Sequence, residues 1–293
     1  MVFMISRRAL LATSAFFTMG TASVRASAPR SPSERLAALE KRSGGRLGVA
    51  ILDTRTGLKA THRADERFAM CSTFKALAAA AVLARADAGK EDLNRRISYG
   101  REKLIFWSPV TKNHADGPGM TLAELCEAAV TMSDNTAGNL LLESLGGPKG
   151  LTAFFRSLGD EVSRLDRWEP ELNDVPPGDL RDTTTPEAML GSLRSVVLGD
   201  ALSPNSRQRL AGWLIGCKTG DKRLRAGFPA GWTVGDKTGT GSTVASDIAV
   251  AWARSGATLV VSAYLEAPQL PAPKRDGIFR EIGEIASEMA DLN

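Results

Sequence analysis

The order of the local sequence patterns constrains this fold more than any other feature. Strand patterns lie near both ends of the chain, and helical spacing of apolar residues fills the middle, from about residue 65 to residue 213. A turn at Arg55-Thr56-Gly57 separates the first two strands. The strand patterns cover residues 46–53, 58–62, 232–237, 246–253 and 257–265. One sheet therefore has to form from both ends of the chain, with a helical segment inserted between them.

Helical patterns flank and interrupt this sheet. Thr121 opens Thr-Leu-Ala-Glu, a capping-box pattern that predicts a helix start. Residues 166–185 carry prolines and glycine without periodicity, which predicts a long loop of the kind that is often functional. The predicted helices cover residues 33–43, 74–86, 121–132, a segment ending at Leu145, and 276–292. We expect a discontinuous α/β domain of residues 27–65 and 214–293 around an all-α domain of residues 66–213 that carries the loop.

The first 26 residues predict a cleaved export signal. They contain Arg7, Arg8 and Arg25 but no acid, and a short apolar and small-residue stretch ends near a cleavage site at Val24-Arg25-Ala26. Ser6-Arg7-Arg8 before two leucines also resembles a twin-arginine signal. We expect a periplasmic protein that has no membrane attachment once the leader is removed, because no later segment is long and apolar enough to span a bilayer.

Composition excludes several function classes. The chain carries 37 basic and 33 acidic residues, and without the three leader arginines the mature part is nearly neutral. No basic tract remains for a nucleic-acid surface. The two histidines, His62 and His114, and the three cysteines show no metal-ligand spacing, so we expect neither a metal nor another cofactor.

Ser72 and Lys75 form a candidate nucleophile and its partner. They are three residues apart at the start of a predicted helix, so both side chains lie on one face. A serine hydroxyl is a weak nucleophile until a nearby base takes its proton, and a lysine is one such base. A helix cap and a solvated lysine are the alternatives for this pair.

Two further motifs follow in the order that Ser-x-x-Lys enzymes show. Ser133-Asp134-Asn135 lies between two predicted helices, where a simple capping turn is the alternative. Lys237-Thr238-Gly239 follows a strand pattern, which places these residues at a rigid edge. Lys218-Thr219-Gly220 repeats the same letters, but no strand pattern precedes it, and we predict that this copy is a loop.

Glu169 and Asn173 complete the set of candidate groups. They are four residues apart in the long loop, where a carboxylate and a carboxamide could hold one water molecule between them. Glu169 would then act as the general base on that water. A solvated surface acid is the alternative for Glu169.

Together these four motifs resemble the class A serine β-lactamases, over residues 31–290. The resemblance implies the α+β/α fold of the β-lactamase/transpeptidase type, with an antiparallel sheet flanked by terminal helices and an inserted all-α domain. It implies a monomer that hydrolyses penicillins and cephalosporins and so confers antibiotic resistance. Ser72 would be acylated, Lys75 and Ser133 would relay protons, and Glu169 would activate the deacylating water.

The resemblance also implies how substrate is bound. Asn135 would bind the side-chain amide of the substrate, and Asn173 would help to hold the water. The substrate carboxylate would bind Lys237, Thr238 and Thr240, with Gly239 between them and Arg223 behind. The backbone N–H groups of Ser72 and Thr240 would form the oxyanion hole, and Trp107 would stand at the mouth of the cleft. Two further matches are an Arg167–Asp182 salt bridge and a Glu169-Pro170 bond that is often cis in this family.

The cysteines depart from the family patterns. Cys71 resembles the cysteine of carbapenem-hydrolysing members, but its partner position is Gly241 here. Cys126 resembles half of another family bridge, whose partner position is Ala79. We expect free thiols, with a Cys71–Cys217 bridge as the alternative. Together with Trp107, Thr240 and Arg223, Cys71 suggests a spectrum that extends to carbapenems.

Other readings of the motifs remain open at this point. A D,D-peptidase or penicillin-binding protein has the same serine and lysine but deacylates slowly, and Glu169 argues against it because it supplies the missing base. A covalent β-lactam sensor would need a signalling or membrane segment beyond the leader. An exported binding protein without activity is the remaining alternative.

Overall fold

The computed structural model describes Met1 and residues 31–290, where it contains eight α-helices and nine strands. The predicted leader, its cleavage site, and the predicted end of the last helix at residues 291–292 lie outside the described residues. The helices are α1 Pro32–Ser43, α2 Phe74–Asp87, α3 Leu122–Thr131, α4 Asn135–Ser144, α5 Pro148–Ser157, α6 Pro186–Val197, α7 Pro204–Ile215 and α8 Ala272–Ala290. The strands are β1 Arg46–Asp53, β2 Lys59–His62, β3 Phe68–Ala69, β4 Arg96–Ile97, β5 Met120–Thr121, β6 Thr183–Thr184, β7 Thr233–Thr240, β8 Val244–Trp252 and β9 Thr258–Glu266.

Five of the strands form one antiparallel sheet in the order β2-β1-β9-β8-β7. The central strand β9 pairs with β1 on one side and with β8 on the other, so the two ends of the chain share the sheet as predicted. Strand β7 continues to Thr240 because Thr240 still pairs with Ala245 of β8. The prediction that this strand stops at residue 237 is therefore wrong, and Lys237-Thr238-Gly239 lies inside a paired strand rather than beyond its end.

The two faces of the sheet bury two different hydrophobic clusters. One face packs against α1 and α8, with Leu36, Phe279 and Ile282 among its fully buried residues. The other face packs against the helices of the middle of the chain, including α2, whose residues 74–83 are all buried. An antiparallel sheet flanked by terminal helices, with further helices inserted, confirms the predicted fold class. Residues 31–290 fall within one compact unit, and the predicted division of it at residues 65 and 213 stays a prediction.

The middle of the chain is not purely helical. It contains four two-residue strands, of which β3 pairs with β6 and β4 pairs with β5. Two residues are too few to show a strand period, which is why these strands could not be predicted from the sequence. The β3–β6 pair joins the segment just before Ser72 to the end of the long loop, at the Phe68–Thr184 and Ala69–Thr183 positions.

Local signals at the helix ends are confirmed more closely. The Thr121 side chain accepts from the Glu124 backbone N–H, and the Glu124 carboxylate accepts from the Thr121 N–H, which is the predicted capping box. Helix α8 begins at Ala272, four residues before the predicted start at residue 276, because prolines are tolerated in a first helical turn. Among the described residues, no helix combines the length and apolar character that crossing a membrane requires.

Candidate active site

Ser72 lies on a single 3₁₀ turn, Cys71–Thr73, that leads directly into α2. The turn begins with Cys71 at a positive φ of 45°, a conformation that non-glycine residues adopt rarely and that often marks a functional site. Ser72 is 8% exposed. Its Oγ accepts a hydrogen bond from Lys75 Nζ at 3.0 Å and donates to Glu169 Oε1 at 3.3 Å. The hydroxyl is therefore in contact with the Glu169 carboxylate, which could take its proton, and with the Lys75 amine, which could do so once it is neutral.

The Lys75 ammonium is the centre of the site and is completely buried. Its Nζ donates to Ser72 Oγ at 3.0 Å, to the Ser133 carbonyl at 3.0 Å and to Asn135 Oδ1 at 2.5 Å. It also lies 2.9 Å from Glu169 Oε1, and neither side chain of this ion pair is exposed. Four predicted site residues thus converge on one buried ammonium, and burying a charge is costly unless it is paired and hydrogen-bonded.

The Ser133-Asp134-Asn135 segment is held between α3 and α4 by the Asp134 carboxylate. Asp134 caps α4 by accepting from the Ala137 N–H, and it also accepts from the backbone N–H groups of Val110 and Thr111. Ser133 has a positive φ of 57°, which turns the chain sharply between the helices. The capping turn considered as an alternative is therefore present, and the same turn carries Ser133 and Asn135 into the site.

The long loop places Glu169 against Lys75. The Asn139 side chain donates to the Glu169 carbonyl at 3.0 Å and accepts from the Glu169 N–H at 2.9 Å. Asn173 Nδ2 donates to Glu169 Oε2 at 2.5 Å, so the two predicted partners are in direct contact. The Glu169-Pro170 bond is cis, as in many members of the family that the motifs resemble. Glu169 is 3% exposed, which excludes the solvated surface acid.

An ion pair closes the base of this loop. Arg167 Nε donates to Asp182 Oδ2 at 2.5 Å, and Asp182 Oδ1 accepts from the backbone N–H groups of Asp166 and Arg167. The Asp182 carbonyl in turn accepts from the Met70 N–H at 2.9 Å, close to the nucleophile. The predicted Arg167–Asp182 salt bridge is confirmed.

Strand β7 forms the opposite wall. Lys237 is completely buried, and its Nζ donates to Ser133 Oγ at 3.0 Å. Burial lowers the pKa of Lys237 to about 8, and the nearby Lys75 charge adds to this shift. The other Lys-Thr-Gly copy, residues 218–220, is a loop, as predicted. It packs against Lys237-Thr238-Gly239, with Thr219 Oγ1 2.5 Å from Thr238 Oγ1.

Arg223 supports the end of β7 from a separate segment. Its Nη1 donates to the carbonyls of Gly239 and Ser246 at 2.8 and 2.9 Å, and its Nη2 donates to Thr240 Oγ1 at 3.0 Å. Asp276 Oδ1 accepts from Arg223 Nε at 3.0 Å and fixes the guanidinium. The structure therefore brings Arg223 and Thr240 together, as expected from the resemblance.

Trp107 lies beside Asn135 with half of its surface in solvent. It has a positive φ of 63° and is 52% exposed, while its Nε1 donates to the Met132 carbonyl at 3.1 Å. Its carbonyl accepts from the Asn135 N–H at 2.9 Å. This exposure excludes a core aromatic and leaves the ring available to a bound molecule.

Comparison with known proteins agrees with this geometry. Residues 31–290 match the profile of the β-lactamase enzyme family. The chain belongs to that family, among the class A serine β-lactamases. It is 52% identical to β-lactamase FAR-1 of Nocardia farcinica over 241 residues, which cover 82% of this chain and 76% of that protein. It is also 46% identical to the carbapenem-hydrolyzing β-lactamase KPC of Klebsiella oxytoca over 262 residues, or 89% of each chain.

A solved structure gives the same result for the fold. The ancestral class A β-lactamase GNCA superposes with a TM-score of 0.86 at 64% identity, covering 88% of this chain and 99% of that chain. The enzyme hydrolyses β-lactams, and this activity confers resistance to β-lactam antibiotics.

All three cysteines of the β-lactamase are buried free thiols. The expectation of free thiols is confirmed, and the alternative Cys71–Cys217 bridge is absent. Burial raises the pKa of the Cys71, Cys126 and Cys217 thiols, which keeps them protonated.

Several residues that shape the site escaped the sequence analysis. A Cβ at Gly138 would meet Lys75 Cε at 2.9 Å, so this helical glycine makes room for the lysine. Asn139 holds the Glu169 backbone, as described above. Asp236 in β7 and Asp247 in β8 are fully buried, and burial raises the pKa of both carboxyl groups. The sequence offered only indirect evidence for them: Asp236 precedes Lys237, and Asn139 lies on α4, the helix that begins at Asn135.

Gly241 lies where a cysteine would reach Cys71. A Cβ built at Gly241 would be 3.0 Å from Cys71 Sγ, which is about the Cβ-to-sulfur separation across a disulfide. We expect Gly241→Cys to form this bridge under oxidising conditions, leaving two of four thiols free when titrated after unfolding. The same Cβ would be 2.6 Å from the Asn173 carbonyl oxygen, so the loop must shift. Gly241→Ala is the control, because it makes that contact without a bridge. Four free thiols in oxidised Gly241→Cys would contradict the placement.

Proposed function

We propose that the enzyme hydrolyses penicillins and cephalosporins through an acyl-enzyme on Ser72, which a Glu169-activated water then deacylates. One observation carries this assignment: the Glu169 carboxylate lies within hydrogen-bond distance of Ser72 Oγ at 3.3 Å and of Asn173 Nδ2 at 2.5 Å, inside a buried site. A base placed beside the acylated oxygen is what separates hydrolysis from lasting acylation.

In acylation, Ser72 Oγ attacks the lactam carbonyl carbon and loses its proton to a neighbouring base. Lys75 Nζ and Glu169 Oε1 both lie within reach of that proton. As the C–N bond breaks, the lactam nitrogen takes a proton from Ser133 Oγ, and the proton that Ser72 Oγ lost passes through Lys75 to Ser133 Oγ. Lys237 Nζ, at 3.0 Å, holds that hydroxyl in place.

The carbonyl oxygen becomes an oxyanion during this attack. The backbone N–H groups of Ser72 and Thr240 would stabilise it, since fixed donors strengthen as the charge develops. Close approach of β7 to the Ser72 turn supports the pairing: a Cβ at Gly239 would meet Met70 O at 3.0 Å and Cys71 Cβ at 3.1 Å. Only a glycine allows the strand to come so near.

Substrate binding uses the two walls of the site. The Lys237 ammonium, the Thr238 and Thr240 hydroxyls and, behind them, Arg223 form a positively charged set for the substrate carboxylate. Asn135 would bind the side-chain amide on the opposite wall, with Trp107 packing at the cleft mouth. A positive cradle of this kind orients a carboxylate before the chemical step.

Deacylation returns the enzyme to its starting state. A water held by Glu169 and Asn173 attacks the ester carbonyl carbon, and Glu169 takes the proton of the water. The ester C–O bond breaks, and Glu169 passes the proton that it took from the water to Ser72 Oγ, which lies 3.3 Å from Glu169 Oε1. Without the Glu169 carboxylate this water has no base in contact with it, so the acyl-enzyme should persist instead of being hydrolysed.

Glu169→Ala tests this assignment. We expect the variant to be acylated by benzylpenicillin and to hold one adduct on Ser72, with turnover reduced by at least about 100-fold because general-base catalysis is lost. Intact mass spectrometry measures the adduct while ring opening is followed in parallel. Glu171→Ala, an exposed acid in the same loop, should keep the parent rate.

The same experiment separates the enzyme from its alternatives. The parent should consume many equivalents with little lasting adduct, whereas a penicillin-binding protein or a sensor would consume one equivalent and keep it. Turnover of Glu169→Ala at the parent rate would overturn the assignment of the base.

The pKa of Lys237 predicts how activity depends on pH. Because this pKa is lowered to about 8, the ammonium is charged below pH 8 and loses its charge as the pH rises through that value. We expect kcat/KM for benzylpenicillin to fall above pH 8, since this ratio reports ionisations of the free enzyme. Lys237→Arg should shift the fall above pH 10, because a guanidinium stays charged. A flat parent profile to pH 10 would contradict the role of Lys237.

We propose that the spectrum extends to carbapenems. The support is the combination of Cys71, Trp107, Arg223 and Thr240, together with a relative named as carbapenem-hydrolyzing. Steady-state turnover of imipenem, compared with that of benzylpenicillin, tests this extension. Measurable imipenem turnover that disappears in Ser72→Ala is the expected result, and no detectable turnover by the parent would refute it.

We also propose that the enzyme is exported to the periplasm, is released from the leader at residue 26 and acts as a monomer. The leader pattern of residues 1–26 supports export, with its paired arginines Arg7 and Arg8 and its small-residue end. The mass of the mature protein, read in the experiment above, locates the cleavage site. A mass that includes the leader would refute cleavage.

A further inference from the structure

A cavity of about 720 Å³ lies beneath the part of the long loop that follows the active-site residues. Residues 174–180 of the loop form one side, and Phe68, Ala69 and the ends of β8 and β9 form the other. None of the residues proposed above for catalysis or substrate binding lines it. Its volume falls within the range of small-molecule sites, which is about 300–1,000 Å³.

Most of the lining is apolar. The loop contributes aliphatic and proline side chains, and the sheet contributes an aromatic ring. These residues are Phe68, Ala69, Val175, Pro176, Pro177, Leu180 and Pro268. Leu180 is 52% exposed, so it stands at the opening rather than in the core. A rigid apolar body of modest size would bury this surface and gain the corresponding hydrophobic free energy.

Two of the charged groups that line the cavity are already neutralised by partners. Arg46 forms ion pairs with Glu66 and Glu266 at 3.0 and 2.7 Å, and its guanidinium lies over the Phe68 ring. Asp179 pairs with Arg181 at 2.6 Å. Asp174 is exposed at the loop surface, where water screens its charge.

Arg67 differs from these groups because its charge is not compensated. Among the described residues, no carboxylate lies within salt-bridge distance of its guanidinium, whose Nη1 donates to Thr183 Oγ1 at 2.9 Å. Burial lowers the pKa of Arg67, and the charges of Arg164 and Arg156 lower it further. Asp160 attracts it only from a distance.

The Asp160 carboxylate is committed elsewhere. Its Oδ1 accepts from the backbone N–H groups of Val162 and Ser163, and its Oδ2 accepts from Ser192 Oγ. Arg67 therefore keeps guanidinium donors free for an acceptor from outside the chain. A half-buried cation beside two like charges gains most from an anion that brings its own charge.

We propose that this cavity is a binding site for a small organic anion, whose carboxylate accepts hydrogen bonds from Arg67 and whose apolar body packs against Val175, the loop prolines and Leu180. The site is separate from the β-lactam site. The bound molecule is an aromatic or alicyclic carboxylic acid, since a rigid apolar body matches the prolines that line the cavity and a single carboxylate matches one guanidinium.

Calorimetric titration of the full-length enzyme with 2-naphthoate tests the proposal, with 2-naphthamide as the uncharged control of the same shape. We expect the acid to bind at least tenfold more tightly than the amide, because only the acid carries a negative charge that can pair with the Arg67 guanidinium. Equal affinity of the two, or no binding of the acid at 5 mM (a concentration of order 10⁻³ M, where even weak sites are occupied), would overturn the proposal.

Variants locate the bound acid. Arg67→Gln should weaken binding of 2-naphthoate at least tenfold. Leu180→Asp places a repelling carboxylate at the cavity opening without touching Arg67, and it should weaken binding to a similar degree even if the first variant folds poorly. Leu58→Asp is the matched control, because Leu58 is 39% exposed and lies outside the cavity. Unchanged affinity in both test variants would refute the site.

Amide chemical shifts distinguish this cavity from the β-lactam site, which also attracts carboxylates. Saturation with 2-naphthoate should move the signals of Phe68, Val175 and Leu180. Shifts confined to Lys237, Thr238 and Thr240 would mean that the acid occupies the substrate site, and the proposal would then be wrong.

Discussion

Lys75 and Glu169 bring opposite charges to within 2.9 Å in a place where neither side chain reaches solvent. Burying either ion alone would be costly, and removing one partner of such a pair typically costs about 3–5 kcal/mol because the other is left uncompensated. The pair joins the buried helix α2 to a loop that has little regular structure of its own. The position of the loop, and with it the depth of the site, depends on this contact.

The other contacts of the site follow from that constraint. A buried ammonium needs oxygen acceptors around it, and the Ser133 carbonyl and Asn135 Oδ1 provide two of them. Those acceptors are in place because the Asp134 carboxylate ties the turn between α3 and α4 to the backbone of Val110 and Thr111. On the loop side, Asn139 fixes the Glu169 backbone from both directions. Positioning and charge compensation are thus supplied by the same hydrogen bonds.

The sequence predicted the parts of the site that depend on neighbours along the chain. Ser72 and Lys75 share a helix face, and Glu169 and Asn173 share a loop turn, so their spacing alone indicated contact. The sequence also distinguished the two Lys-Thr-Gly copies, because only Lys237-Thr238-Gly239 follows a strand pattern. The fold class followed from strand patterns at both ends of the chain.

The sequence could not predict residues whose role depends on distant partners. Gly138 is required by the lysine of another helix, and nothing near it in the chain shows that need. Asp236 and Asp247 are ordinary strand residues until pairing with neighbouring strands buries them. The β3–β6 pair spans more than 110 residues with only two residues in each strand. Such contacts arise from the assembled fold, so no local period or propensity announces them.

Pairing of β1 with β9 joins residue 46 to residue 266, which are 220 positions apart in the chain. Until the ribosome has added the last of these strands, β1 has only β2 beside it, and an isolated two-stranded hairpin is marginally stable at best. The five-stranded sheet therefore cannot be completed until β9 has been made. A chain that ends just before residue 258 would contain every proposed catalytic side chain, yet it would lack the strand that joins β1 to β8.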